Sequence, residues 1–134
     1  MFEVEKFWGR EIWLVNCDEY CSKILELKGG YSSSTHNHKN KKETFWCLEG
    51  IFTLELEGKV MQLDNKSEPV TILPKQKHSF RSKTPARILE VSTQHNENDV
   101  YRFKKSYKLD SYCFDIDGTI CTQEPDNNMP YNEA

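Results

Sequence analysis

"GGYSSSTHNHKNKKETFWCLEG", residues 29–50, places two of the chain's four histidines two positions apart, with a glutamate five residues on and glycines at both ends. In an extended chain, residues i and i+2 point to the same side, so His36 and His38 direct their imidazoles into one space. "KNKK" (39–42) can reverse the chain. Glu43 then opens the next strand, and a hairpin register would bring its carboxylate opposite the histidines. A fourth ligand is available in His78, which follows Pro74 on a later strand. Three imidazoles and one carboxylate make a borderline donor set for one divalent transition metal: Zn, Mn, Ni, Co or Fe. Such a set leaves open positions for water or substrate, as working rather than structural metal sites do. The plainer reading of the same stretch is a busy polar loop with "KNKK" as a solvated hairpin tip.

The flanking sequence is a series of short strands. "GREIWLVN" (9–16) is apolar and β-prone, and "SKILELKGG" (22–30) alternates and stops at paired glycines. In "IFTLELEG" (51–58), Phe52, Leu54 and Leu56 share one face while Thr53, Glu55 and Glu57 share the other, the period of a half-buried antiparallel strand. Gly58-Lys59 then turns the chain into "VMQL" as a hairpin. "VTILP", "HSFRS" and "ARILEVST" (86–93) are further strands, and no stretch through residue 93 sustains a helical period. Short strands at regular spacing predict an all-β barrel or sandwich.

Composition narrows the function classes. The chain has 134 residues, enough for one domain with a real core and too few for two complete ones. A net charge of −3 argues against a nucleic-acid or anionic-membrane footprint. No apolar run approaches the roughly 20 residues of a membrane span. The opening "MFEVEKFWGR" lacks the apolar stretch of a secretory signal. Five cysteines, an odd number with no Cys-x-x-Cys pair, predict free thiols in a reducing cytoplasm, with Cys47 acting as a small buried hydrophobe.

The spacing Gly30, His36-x-His38, Glu43, Gly50 matches the first signature of the cupins in every fixed position. "LPKQKHSFR" resembles the second signature through Pro74 and His78, but lacks its glycine and asparagine. The resemblance covers about residues 8–103 and implies a double-stranded β-helix, or jelly-roll barrel, with a metal inside its mouth. "KFWGREIWLVN", "SSTHNHKNKKETFWCLEG" and "EVSTQHNENDVYR" are similar to the sugar-phosphate-isomerase branch, which includes mannose-6-phosphate and lyxose-type isomerases. That branch implies metal-assisted aldose–ketose isomerisation, in which the cation lowers the cost of an enediolate and a base moves a proton between neighbouring carbons. Glu90 is the candidate base; Ser34, Lys41 and Arg102 are candidates for holding a sugar or its phosphate. The bland roles are a solvated lysine for Lys41 and a surface ion pair with Asp99 for Arg102. A non-catalytic sugar-binding or sensor module and an Fe(II) dioxygenase are the other readings. Cupins commonly form homodimers, and the same is expected here.

Composition changes after about residue 108, which sets the expected units at 1–109 for the barrel and 110–134 for the remainder. In "YCFDIDGTIC", Asp115-x-Asp117-Gly118-Thr119 resembles the first motif of haloacid-dehalogenase-like phosphatases, where the first aspartate attacks phosphorus and the second is acid and base. There is no room for that family's later motifs, so the segment reads as the incomplete start of a phosphatase fused to a cupin, without phosphatase activity.

Overall fold

A computed structural model describes residues 1–110. The expectations for the C-terminal unit, including Asp115 and Asp117, lie outside the described residues. In chain order the strands are β1 (Phe2–Lys6), β2 (Gly9–Asn16), β3 (Cys21–Leu27), β4 (Tyr31–Ser32), β5 (Thr35–His38), β6 (Glu43–Glu49) and β7 (Phe52–Leu56). They continue as β8 (Lys59–Leu63), β9 (Val70–Ile72), β10 (His78–Ser82), β11 (Ala86–Ser92), β12 (Val100–Lys104) and β13 (Tyr107–Lys108). One three-residue 3-10 turn, Glu97–Asp99, precedes β12. Two antiparallel sheets result: β1-β2-β3-β11-β6-β9, and β12-β5-β10-β4-β13 with β7 and β8 joined through β10. The all-β expectation holds, and no described helix is long and apolar enough to cross a membrane.

The strands form where side chains alternate. Along β3 and β11 every second residue is buried, and in β7 Phe52 and Leu54 are fully buried while Thr53 and Glu55 are only partly covered. The serine triplet explains why β4 and β5 are separate. Both pair with β10, but the ladder breaks between them, and Ser33 repairs it: its N–H donates to Phe80 O (2.8 Å) while its Oγ accepts from Phe80 N (3.0 Å).

The β7–β8 turn is one residue earlier than Gly58-Lys59. Leu56 pairs with Lys59, so Glu57 and Gly58 are the central residues, and both have positive φ (50° and 83°), as a type I′ turn demands. Gly50 is constrained differently. Its φ is +80°, and a Cβ there would lie 2.6 Å from the Pro85 carbonyl oxygen. Gly50→Ala adds left-handed strain of about 1–2 kcal/mol to overpacking of about 1–3 kcal/mol. A lowered urea midpoint with an unchanged slope is the expected reading.

The inward rows change character along the barrel. One end is apolar: Trp8, Leu25, Leu27, Phe45, Cys47, Phe52, Leu54, Phe80 and Ile88 are buried together, Trp8 meeting Phe80 edge-on at 4.9 Å. Two residues further along each strand the same face turns ionisable. Leu25 gives way to Lys23, Phe45 to Glu43, Phe80 to His78 and Ile88 to Glu90, all four buried. The barrel is thus an oil-filled cup with a charged chamber at one end.

Candidate metal centre and its chamber

Neighbouring strands and opposed sheets deliver the four expected ligands. His36 and His38 share the inner face of β5, and His78 on β10 stands directly opposite His36 in the ladder. Their ligating nitrogens all lie within 4.8 Å of one another. Glu43 arrives by another route than the hairpin register expected from the sequence. β6 belongs to the facing sheet, and the carboxylate crosses the interior, placing Oε2 2.9 Å from His78 Nε2 and 3.4 Å from His38 Nε2.

The donor chemistry suits a cation. A backbone carbonyl only accepts, so His36 Nδ1–H donates to Ser34 O (3.0 Å) and His78 Nδ1–H to Gln76 O (3.0 Å). Each neutral ring then presents its Nε2 lone pair inward, the arrangement that orients histidine ligands in metal proteins. Both His78 Nε2 and Glu43 Oε2 are buried without an aligned hydrogen bond despite their 2.9 Å approach. Two buried acceptors facing each other at that distance need a positive charge between them, either a metal ion or a proton.

Titration behaviour follows from this packing. Burial, with His78 and His38 beside it, pushes the His36 pKa well below its usual value, which keeps its lone pair free. Burial also opposes charge on His78, but the hydrogen-bonding contact with and charge of Glu43 outweigh it and raise the pKa. For Glu43, burial favours the neutral acid; the two histidines and Lys41 override it and hold the pKa well below the carboxylate range.

Lys41, a candidate for holding the sugar whose bland alternative is a solvated lysine, is buried, although Lys39, Asn40 and Lys42 of the same tip are exposed. Its Nζ lies 2.7 Å from Glu90 Oε2, 3.6 Å from Glu43 Oε1 and 3.0 Å from His95 Nδ1. Burial opposes its charge, and Glu90 and Glu43 more than offset that, raising its pKa. Glu90 therefore faces the chamber. Ser34 is buried with its Oγ 3.1 Å from His36 Nδ1. Arg102, exposed and paired with His36 across β12, reaches the chamber mouth, and no ion pair to Asp99 holds it among the described residues. Asp99 instead accepts backbone N–H bonds from Lys39, Asn40 and Lys41. Thr93 Oγ1 accepts from Lys42 N (3.1 Å), so both residues fasten the "KNKK" tip.

Two chamber residues escape the sequence reading. His95, from "TQHNEND", packs edge-on against Trp13, with Nε2 2.7 Å from Glu97 Oε2 and Nδ1 facing Lys41 and Lys23. Burial and the two ammonium groups lower its pKa. Lys23 is 1% exposed. The signal for it is parity: Cys21, Leu25 and Leu27 fix the inner face of β3, and Lys23 falls on that face. The cavity enclosed by these groups is about 60 Å³, room for an ion and a few waters. A larger groove of about 710 Å³ lies outside the chamber, with Asn37, Lys39, Asn98 and Tyr101 in its walls and none of the four candidate ligands.

No protein-family model matches the chain, and no curated protein matches it. Solved structures do. KdgF from Halomonas sp. superposes with a TM-score of 0.61 at 13% identity, over 66% of this chain and 81% of that one. The capsular polysaccharide assembling protein CapF from Staphylococcus aureus gives 0.67 at 16%, over 77% of this chain but 31% of CapF. Pac13, a nucleoside dehydratase seen from Streptomyces with uridine, gives 0.66 at 10–11%, over 83% of this chain and 88% of its own. At such identities the likeness concerns the fold: the described residues form one cupin double-stranded β-helix.

Proposed function

We propose that the protein is a metal-dependent enzyme acting on a sugar or sugar phosphate by aldose–ketose isomerisation. The observation that carries this reading is the juxtaposition, in one buried chamber, of four metal-competent donors with the Lys41–Glu90 pair at 2.7 Å. His36, His38, His78 and Glu43 would hold the ion, which when bound polarises a sugar carbonyl and its neighbouring hydroxyl. Glu90 is the group that takes a proton from one carbon and returns it to the next. Lys41 holds that carboxylate in place and supplies a positive charge to oxygen atoms entering beside it. Arg102 at the mouth meets a charged substituent. The apolar end of the barrel excludes water from behind the site, which strengthens these charge interactions. CapF and Pac13, with their polysaccharide and nucleoside roles, support a sugar-bearing substrate on this fold.

The small volume of the chamber favours a second reading, a module that binds a sugar at its mouth without turnover. Metal analysis followed by a panel of aldoses and aldose phosphates, with and without chelator, separates them. Isomerisation that chelator abolishes and metal restores is the expected result. Bound metal with no sugar converted assigns the protein to binding, and oxygen consumption with Fe(II) assigns it to oxygen chemistry.

A further inference from the structure

We propose that Lys23 receives an oxyanion, a phosphate or carboxylate carried by the substrate, inside the chamber; this rests on reading the chamber as the substrate site and specifies the substrate's charge. Lys23 is fully buried, and its ammonium makes only long contacts. The nearest groups are His95 Nδ1 at 3.4 Å, Glu11 Oε1 at 3.7 Å and the Trp13 ring at 3.9 Å from its centroid. The His95 contact is contested. Because His95 Nε2 meets a carboxylate at 2.7 Å, it carries the proton, and Nδ1 has a single lone pair. Lys41, at 3.0 Å, is the closer donor to that lone pair. Two ammonium groups thus converge on one neutral acceptor, and the buried cation at Lys23 is left short of a hydrogen-bonded partner, which proteins ordinarily provide.

The charge balance points the same way. Glu11, Glu43, Glu90 and Glu97 line the chamber and its mouth against Lys6, Lys23, Lys41 and Arg102, so the fixed charges balance. One divalent ion turns that balance into a surplus of two positive charges. A phosphate dianion restores neutrality, and a carboxylate halves the surplus. An anion between Lys23 and Lys41 takes over the contacts that His95 now supplies, so His95 is a stand-in acceptor that the ligand displaces. The Trp13 ring against Lys23 leaves it little freedom to turn toward water.

The test is calorimetric titration of the zinc-loaded protein with inorganic phosphate, with acetate, and with neutral mannose as control. Phosphate or acetate binds with a Kd on the order of 1 mM, and whichever binds more tightly identifies the anion. Lys23→Met, which keeps the length of the side chain among apolar neighbours, weakens that binding by about 10-fold or more while zinc affinity stays unchanged. His95→Ala, which removes the competing acceptor, strengthens it, so the proposal stays testable should Lys23→Met fail to fold. Anion affinity indifferent to both substitutions places the anion on the metal alone and overturns the proposal, as does the absence of anion binding. Failure to take up zinc, with phosphate binding still dependent on Lys23, overturns the metal-enzyme reading and leaves this one standing.

Discussion

Glutamine in place of Glu43 lowers the affinity of the protein for zinc by at least about 100-fold while leaving the barrel folded, since outer partners of ligands alone are worth roughly 10–100-fold. The substitution keeps the shape of the side chain and removes the negative charge that lies against His38 and His78. His78 Nε2, 2.9 Å from the carboxylate, then meets an amide in place of an anion. His36→Ala gives a loss of similar size for a different reason, the removal of a lone pair. A competition titration against a chromophoric chelator measures both, and unchanged zinc affinity in either variant removes the metal centre. The pH dependence follows from the same pair. His78 has a raised pKa, so its contribution to stability is complete below the ordinary histidine value of 6.5 and is lost as pH rises through the folded value. Glu43 has a depressed pKa, so its contribution is complete above the ordinary value of 4.5 and is lost as pH falls through the folded value. Without metal the two overlap between those values, and the wild-type protein gains most from the pair there. Zinc replaces the His78 proton, so zinc affinity falls as pH drops below the folded pKa of His78. In Glu43→Gln the charge that raised that pKa is gone, and the stability maximum flattens.

The parts of this chain legible from sequence are those governed by a short period. Phe52, Leu54 and Leu56 show their face without any tertiary information, and His36-x-His38 shows its shared direction for the same reason. What the local pattern hides is which sheet a strand joins. Glu43 reads as a hairpin partner of the histidines because "KNKK" reverses the chain, yet β6 leaves for the opposite sheet, and only closure of the barrel brings the carboxylate back. The burial of Lys41 is hidden from the local pattern as well. Three of the four residues in its tip are solvated, and nothing local marks the one that turns inward. Lys23 and Glu90 were accessible by parity, each falling on the apolar face of an alternating strand. A charged residue on such a face is a conflict between pattern and chemistry, and conflicts of that kind concentrate at working sites. His95 has no periodic signal; its place depends on a non-repeating segment held by Asn16, whose Oδ1 accepts from His95 N at 2.9 Å.

Methionine in place of Lys41 destabilises the fold by about 3–5 kcal/mol, the cost of breaking a buried ion pair by removing one partner. Few other single changes outside the apolar core reach that size, and it is a large share of the roughly 5–15 kcal/mol that holds a domain of this kind together. Lys41 is the only ammonium within 4 Å of Glu90 among the described residues, and it also lies 3.6 Å from Glu43. Methionine fills the space but strands both carboxylates in a buried chamber without their ammonium partner. The loss therefore belongs to the anions left behind and not to the missing side chain. A second substitution separates the two accounts: in Lys41→Met/Glu90→Gln one stranded charge is gone, so the double variant is more stable than Lys41→Met alone, with a coupling above about 1 kcal/mol. Chemical denaturation of the four proteins in the cycle measures it. Strict additivity would mean that Lys41 acts through packing, and Glu90 would lose the partner that holds it ready to move a proton. Glu90→Gln alone supplies the chemical half of the same cycle. It folds, still takes up zinc, and loses the proposed isomerisation, because an amide oxygen beside Lys41 accepts a hydrogen bond but not a proton from carbon.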